Sequence, residues 1–221
     1  MKKHLILAAL AITALAACTH EQSGNVGTRT GALDSSLWDS SQGISAADAP
    51  VVDRIVTNGA TERAADGASW FVSEVTNPKK VTQALWMTSG LGVYRIFLNG
   101  SEVGEEILKP GFTHYQKTKL SFTYDITGAF RKGGGQSNQL SAQLTPGWWA
   151  DKIVTPKYHE GMVGRKTAFR GVLKLTYSDG STEIFGTNCT DWKAGIAGPV
   201  THADIFDGEE YDARMPQGNL T

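Results

Sequence analysis

Five carboxylates, Asp204, Asp207, Glu209, Glu210 and Asp212, crowd into nine residues near the end of the chain, interleaved with Ile205, Phe206 and Tyr211. Two carboxylates can cleave a glycosidic bond, one as acid and one as base or nucleophile. Such a pair normally faces across a sugar-sized cleft from elements well separated in the chain, whereas these acids are neighbours. Clustered acids also suit calcium, which gathers several oxygen ligands. A solvated edge strand and turn is the purely structural alternative. The second constellation is Pro146-Gly147-Trp148-Trp149. Adjacent side chains of an extended chain point to opposite faces, so both indoles cannot enter one core. An exposed indole offers a flat apolar face on which the C–H side of a sugar ring stacks. The alternative is that both rings plug an open end of the core.

Other chemistries find little support. His4, His20, His114, His159 and His202 are scattered without the paired spacing of a zinc site. No Gly-x-Ser-x-Gly elbow offers a serine nucleophile. Gly133-Gly134-Gly135 after Arg131 and Lys132 lacks the Walker residues, and reads as a strand connection rather than a phosphate cradle. A net charge of −1 argues against a nucleic-acid partner held through its backbone. Apolar residues at 40% and charged residues at 19% are a globular balance that fills one large domain.

The elements that must position these residues read as short strands. Val81 to Thr88 alternates and is expected to break at Gly90; Val93 to Leu98 follows and turns at Asn99-Gly100 into Ser101-Glu102-Val103. An Asn-Gly pair between strands is a strong hairpin signal, because both turn positions need positive φ. From Thr118 to Thr127, Leu120, Phe122, Tyr124 and Ile126 share one face, with Lys119, Ser121, Thr123 and Asp125 on the other. Leu140 to Leu144 is another strand. Phe169, Leu173, Leu175 and Tyr177 line a further one, which turns at Asp179-Gly180 into Thr182 to Phe185. Helical spacing is confined to a short turn at Thr127 to Arg131. Short strands with Gly- and Pro-bearing turns predict an all-β fold, an antiparallel β-sandwich of jelly-roll type.

The chain opens with Lys2, Lys3 and His4, then an apolar run from Leu5 to Ala17. That run is shorter than the roughly 20 residues a spanning helix needs, and has the regions of a secretory signal. It ends in Leu15-Ala16-Ala17-Cys18, which resembles the lipobox of bacterial lipoproteins. The resemblance implies an exported chain held to a membrane through acylated Cys18, with residues 1–17 as signal peptide. The one remaining cysteine, Cys189, then has no intrachain partner. Residues 18–66 read as a tether and N-terminal extension, rich in Ser, Gly, Asp, Asn and Thr from Thr19 to about Pro50, in which Leu37 and Trp38 either dock on the domain or stay free.

The stretch from Ala84 to Gly100, with Val103-Gly104, Leu108-Lys109-Pro110-Gly111-Phe112-Thr113-His114-Tyr115 and Tyr124-Asp125-Ile126-Thr127, carries a resemblance that the later segments extend. These are Gly147-Trp148-Trp149, Tyr177-Ser178-Asp179-Gly180-Ser181, Trp192-Lys193-Ala194, Gly198-Pro199 and the run from Asp204 to Arg214. In this order they resemble the N-terminal β-sandwich domain of bacterial α-L-rhamnosidases, placed here at residues 67–214. Asn188-Cys189-Thr190-Asp191 departs from the family's shorter stretch before the tryptophan. The resemblance implies an accessory module without catalytic residues of its own. Its partner would be an (α/α)₆ catalytic barrel that is missing here, with residues 215–221 opening a truncated interdomain linker. A rhamnose-containing glycan is the implied ligand. Candidate contacts are Trp148, Trp149, Tyr115, Asp207, Glu209 and Tyr211. Calcium is the one cofactor to consider, with Asp204, Asp207 and Asp212 as candidate ligands. A free-standing carbohydrate-binding lipoprotein and a purely structural sandwich are the alternatives.

Overall fold

Two-residue alternation buries one side of each strand, so the strands must stack their apolar faces against each other. The computed structural model describes residues 25–46, 67–150, 166–196 and 198–215. The strands are β1 (Thr28–Thr30), β2 (Ser69–Thr76), β3 (Val81–Leu91), β4 (Val93–Leu98), β5 (Ser101–Glu102) and β6 (Ser121–Asp125). They continue as β7 (Ser137–Thr145), β8 (Ala168–Tyr177), β9 (Thr182–Gly186), β10 (Lys193–Gly195), β11 (Val200–Asp204) and β12 (Gly208–Tyr211). One sheet runs β1-β6-β3-β8-β9, the other β10-β2-β7-β4-β5, and β11 and β12 form a separate hairpin. The pairings between these strands are antiparallel, and the fold is the all-β sandwich that the alternation predicts.

The core fills the space between the two sheets. Ala84, Trp86, Tyr124, Leu173 and Leu175 meet Phe71, Ile96, Leu140, Ala142 and Leu144, all at most 2% exposed. Phe169 is the aromatic hub, with ring centroids 5.6 Å from Tyr94, 5.9 Å from Trp192 and 6.3 Å from Phe71. Tyr94 carries its hydroxyl into this interior and shares a 3.1 Å hydrogen bond with Thr88 Oγ1, which satisfies both buried groups. At one edge of the core, Asn138 accepts from the Arg131 N–H (2.8 Å) and from Asn99 (3.0 Å), and donates to Asn77 and the Arg131 carbonyl. This network pins the Gly133–Gly135 connection, whose Gly135 N–H donates to the Asn77 carbonyl at 2.7 Å.

Several boundaries differ from expectation, each for a local reason. The Asn99-Gly100 turn has the positive φ at both positions that its sequence demands, 50° and 87°. At Asp179-Gly180 only Gly180 turns left-handed, because the connection between β8 and β9 is longer and closes with Gly180 N–H on the Tyr177 carbonyl at 3.0 Å. Gly90 does not break β3; it sits inside the strand, where a Cβ would crowd the Tyr94 ring at 2.8 Å. Leu120 lies outside β6 and is 39% exposed, so the buried face of that strand begins with Phe122.

The largest difference concerns the segment read as a tether. Thr28–Thr30 pairs with β6 as an edge strand, Ile44 is fully buried in the core, and Ser35–Ser40 forms a 3-10 helix capped by the Asp34 side chain. Leu37 and Trp38 belong to that helix, and the Arg170 guanidinium lies 5.1 Å from the Trp38 ring while donating to Ser41 Oγ at 2.9 Å. Low apolar content concealed this docking, since few side chains carry it. Gly186 makes it possible: a Cβ there would overlap the Ser40 carbonyl. Gly186→Ala is expected to push the 3-10 helix off β9 and cost about 1–3 kcal/mol, read as a lower denaturation midpoint with an unchanged slope. The segment read as a signal peptide, Cys18, residues 47–66 and residues 216–221 lie outside the described residues.

Candidate functional site

The two tryptophans are placed by the end of β7. Beyond Thr145, the Pro146 carbonyl accepts the Ala150 N–H at 3.3 Å and winds Gly147–Ala150 into one helical turn. Gly147 takes φ +50° against Val93, where any side chain would collide. The pair is therefore not extended, as the sequence reading assumed, and the turn leaves both indoles partly exposed. Trp149 Nε1 donates to the Lys166 carbonyl at 2.8 Å, and its ring meets Tyr115 edge-on at 5.3 Å. Tyr115 is only 4% exposed, donates to the Gly111 carbonyl at 3.1 Å, and has its phenol pKa raised by burial. Phe112, 59% exposed, packs edge-on against Tyr115 at 5.9 Å and lies 6.5 Å from Trp148. Four rings thus form one cluster with Tyr115 as its buried support and Phe112, Trp148 and Trp149 at the surface. Sequence reading missed Phe112; its i, i+3 spacing from Tyr115 in a Pro-Gly turn was the available signal.

The loop carrying Phe112 is held from beneath. Lys109, 1% exposed, donates Nζ to the Val103 carbonyl at 2.9 Å and lies 5.1 Å from the Tyr124 ring. Burial lowers the Lys109 pKa, against the attraction of Glu102 and Glu106. Tyr124 donates its hydroxyl to Glu106 Oε2 at 2.8 Å, and Arg29 lies 3.7 Å from the other oxygen. Burial disfavours the Glu106 carboxylate, but the Tyr124 bond and the nearby cations outweigh it and leave the pKa below its ordinary value of 4.5. The unfolded chain then binds more protons than the fold just below that value, so the contribution is complete above it and is lost as pH falls through the lowered pKa. Glu106→Gln is expected to flatten the acid limb of the stability curve between about pH 5 and pH 3, measured by denaturant midpoints across pH.

The acidic run folds as the β11–β12 hairpin. Asp204 Oδ1 accepts the N–H groups of Phe206 (2.7 Å) and Asp207 (2.9 Å), which shapes the turn. Asp212 accepts from Nε and Nη2 of Arg214 at 2.8 and 2.7 Å, and these bonds lower its pKa. Glu209 stands opposite Ala203, and Tyr211 opposite Val200, 51% exposed. Val200 and Ala203 seat the hairpin on Trp70 and Phe97 of the second sheet, whose rings stack at 5.8 Å. The sequence candidates thus fall into two groups: Tyr115, Trp148 and Trp149 together at the loop end, and Asp204, Asp207, Glu209, Tyr211 and Asp212 on the hairpin. Among the described residues no three His, Cys, Asp or Glu side chains gather as a metal site.

A two-sheet antiparallel sandwich with an aromatic loop end defines a β-sandwich module. Residues 79–221 match the family model described as the alpha-L-rhamnosidase N-terminal domain, and the chain belongs to that family. An alpha-L-rhamnosidase of Streptomyces avermitilis is 38% identical over 143 residues, covering 65% of this chain and 13% of the relative. One from Alteromonas sp. is 35% identical over 135 residues, covering 61% and 14%. The chain thus spans about a seventh of the length of these curated relatives. The crystal structure of the Streptomyces avermitilis enzyme complexed with L-rhamnose superposes with a TM-score of 0.62 at 36% identity, over 68% of this chain and 14% of that one. The native enzyme of Aspergillus terreus shares the fold with a TM-score of 0.68 at 24% identity, over 82% and 19%.

Proposed function

We propose that this chain is the accessory, sugar-holding module of an α-L-rhamnosidase: it contacts a rhamnose-bearing glycan through its aromatic cluster and leaves hydrolysis to a catalytic barrel elsewhere in the enzyme. The exposed Phe112–Trp148–Trp149 surface, backed by buried Tyr115, carries this reading. Rigid rings at a loop end supply stacking area with little side-chain entropy to lose. The carboxylates of Asp207 and Glu209 and the Tyr211 phenol, all exposed on the hairpin, supply polar contacts to the same glycan, whereas Asp204, Asp207 and Asp212 do not gather as a calcium site. The lipobox-like run ending at Cys18 supports a membrane anchor through the acylated thiol; partition into a detergent phase, abolished by Cys18→Ser, checks the anchor. Calorimetry of the full chain with L-rhamnose, with and without added calcium, tests the binding. Saturable heat supports the reading, and its absence under both conditions removes it.

A second reading draws on Ile107, Leu108, Phe112 and Leu120, which are 87%, 49%, 59% and 39% exposed on one loop region. Exposed apolar side chains grouped this way suit packing against another polypeptide, as in a sandwich that only buttresses a catalytic domain. In that case the isolated chain self-associates through this loop and binds no rhamnose.

A further inference from the structure

At the edge of the sandwich away from β1, the two sheets part around a cleft of about 350 Å³. Its rims are β2 at Ser73–Thr76, β9 at Ile184–Gly186 and the loop bearing Asn188, Asp191 and Trp192, with Ser40 of the 3-10 helix beside them and Trp86, Leu140 and Gly171 at its base. The β2 wall is a free edge. Asn77 directs its N–H to Gln136 on the β7 side, so alternation turns the N–H and C=O of Glu74 and Thr76 the other way. β10 covers that side only as far as Val72, opposite Lys193, and leaves these groups without a partner strand. Ser73, on the inward face of β2 and only 7% exposed, lines the cleft with a hydroxyl that has no hydrogen-bond partner among the described residues. Asn188 shapes the opposite rim by accepting the Asp191 N–H at 2.7 Å and donating to Asp191 Oδ2 at 2.8 Å.

We propose that this cleft binds one neutral sugar ring, at a site separate from the aromatic cluster. The volume lies at the lower end of small-molecule pockets, about 300–1,000 Å³. Trp192, Phe185 and Ile184 give it apolar surface, while Glu74, Asp191 and Asn188 ring it with polar groups. Among the described residues no Lys, Arg or His lines it, so a sugar acid meets two carboxylates and no cation from them. A purely apolar ligand would strand the Ser73 hydroxyl and the edge N–H groups away from water, which is costly. A cation would use the carboxylates and leave those N–H groups unpaired. A sugar hydroxyl both donates and accepts, and so matches a mixed lining of this kind.

The test uses the full chain labelled with 5-fluorotryptophan, carrying Trp148→Ala so that the aromatic cluster is weakened. The methyl glycosides of rhamnose, galactose and glucose are titrated, with D-glucuronate as the anionic control, and the fluorine resonance of Trp192 is followed. At least one neutral glycoside is expected to move that resonance saturably, D-glucuronate to leave it in place, and Ser73→Val to weaken the response about tenfold. Asp191→Lys, whose folding is checked by circular dichroism, is expected to abolish the response. A Trp192 resonance unmoved at about 100 mM of every neutral glycoside, an equal response to D-glucuronate, or an unchanged response in Ser73→Val overturns the proposal. The wild-type titration with L-rhamnose reads the Trp148 resonance separately, so failure of the cleft is distinguishable from failure of the aromatic site.

Discussion

Trp86→Ala is expected to lower the stability of the chain by about 3–5 kcal/mol, against a total for a domain of this kind of about 5–15 kcal/mol. The indole is 1% exposed on the central strand of its sheet, between Tyr124 of β6 and Leu173 of β8. Gly171 on β8 leaves room for it; a Cβ there would stand 3.1 Å from Trp86 Nε1. Alanine removes the bicyclic ring but cannot draw the two sheets together, because Phe169, Tyr94 and Phe71 prop them apart nearby. A cavity therefore remains, and its cost adds to the lost burial of the ring. Equilibrium denaturation should show a lower midpoint with little change in slope. Leu120→Ala, at a position 39% exposed, is the control, with an expected change within about 0.5 kcal/mol. Equal losses at both positions would mean that the core is not where the alternation puts it.

Trp148→Ala should do the opposite, leaving stability nearly intact and reducing affinity for L-rhamnose at least about tenfold. Its ring is partly exposed and touches the cluster through Phe112 at 6.5 Å. Removing it opens no sealed cavity, while a bound sugar loses a stacking face. Trp149→Ala should reduce both quantities, since that indole also holds the Lys166 carbonyl and packs on Tyr115. Tyr115→Phe keeps the ring but frees the Gly111 carbonyl, and should cost about 1 kcal/mol of stability with affinity little changed. Parallel calorimetry and denaturation on the three variants separate stacking from support. Equal affinity in wild type and Trp148→Ala would exclude this surface as the sugar contact.

Where the chemistry was local, it was legible in the chain. β4 runs over Val93–Leu98 as its alternation predicts, and Asn99-Gly100 closes its hairpin with both residues left-handed. The acidic run yields a hairpin because Asp204 can reach the N–H groups two and three residues on. Legibility stopped where distant segments meet. Nothing in the composition of residues 25–46 announces that Ile44 enters the core, since one isoleucine among polar neighbours has no period to detect. Gly90 looks like a strand break in isolation; the Tyr94 ring that requires it comes four residues later, across the turn between the sheets. The tryptophan pair pointed to a surface site, but its helical turn depends on the left-handed Gly147 lodged against Val93. The edge cleft was invisible, because Ser73, Phe185 and Asp191 share no motif and meet only when two sheet edges come side by side.

A module that holds a rhamnoside without cleaving it should be recognisable in one experiment. Equilibrium dialysis of p-nitrophenyl α-L-rhamnopyranoside against the full chain is predicted to retain the glycoside on the protein side, with every molecule recovered intact. Equal concentrations on both sides of the membrane, or the release of free p-nitrophenol by the chain, would contradict that prediction.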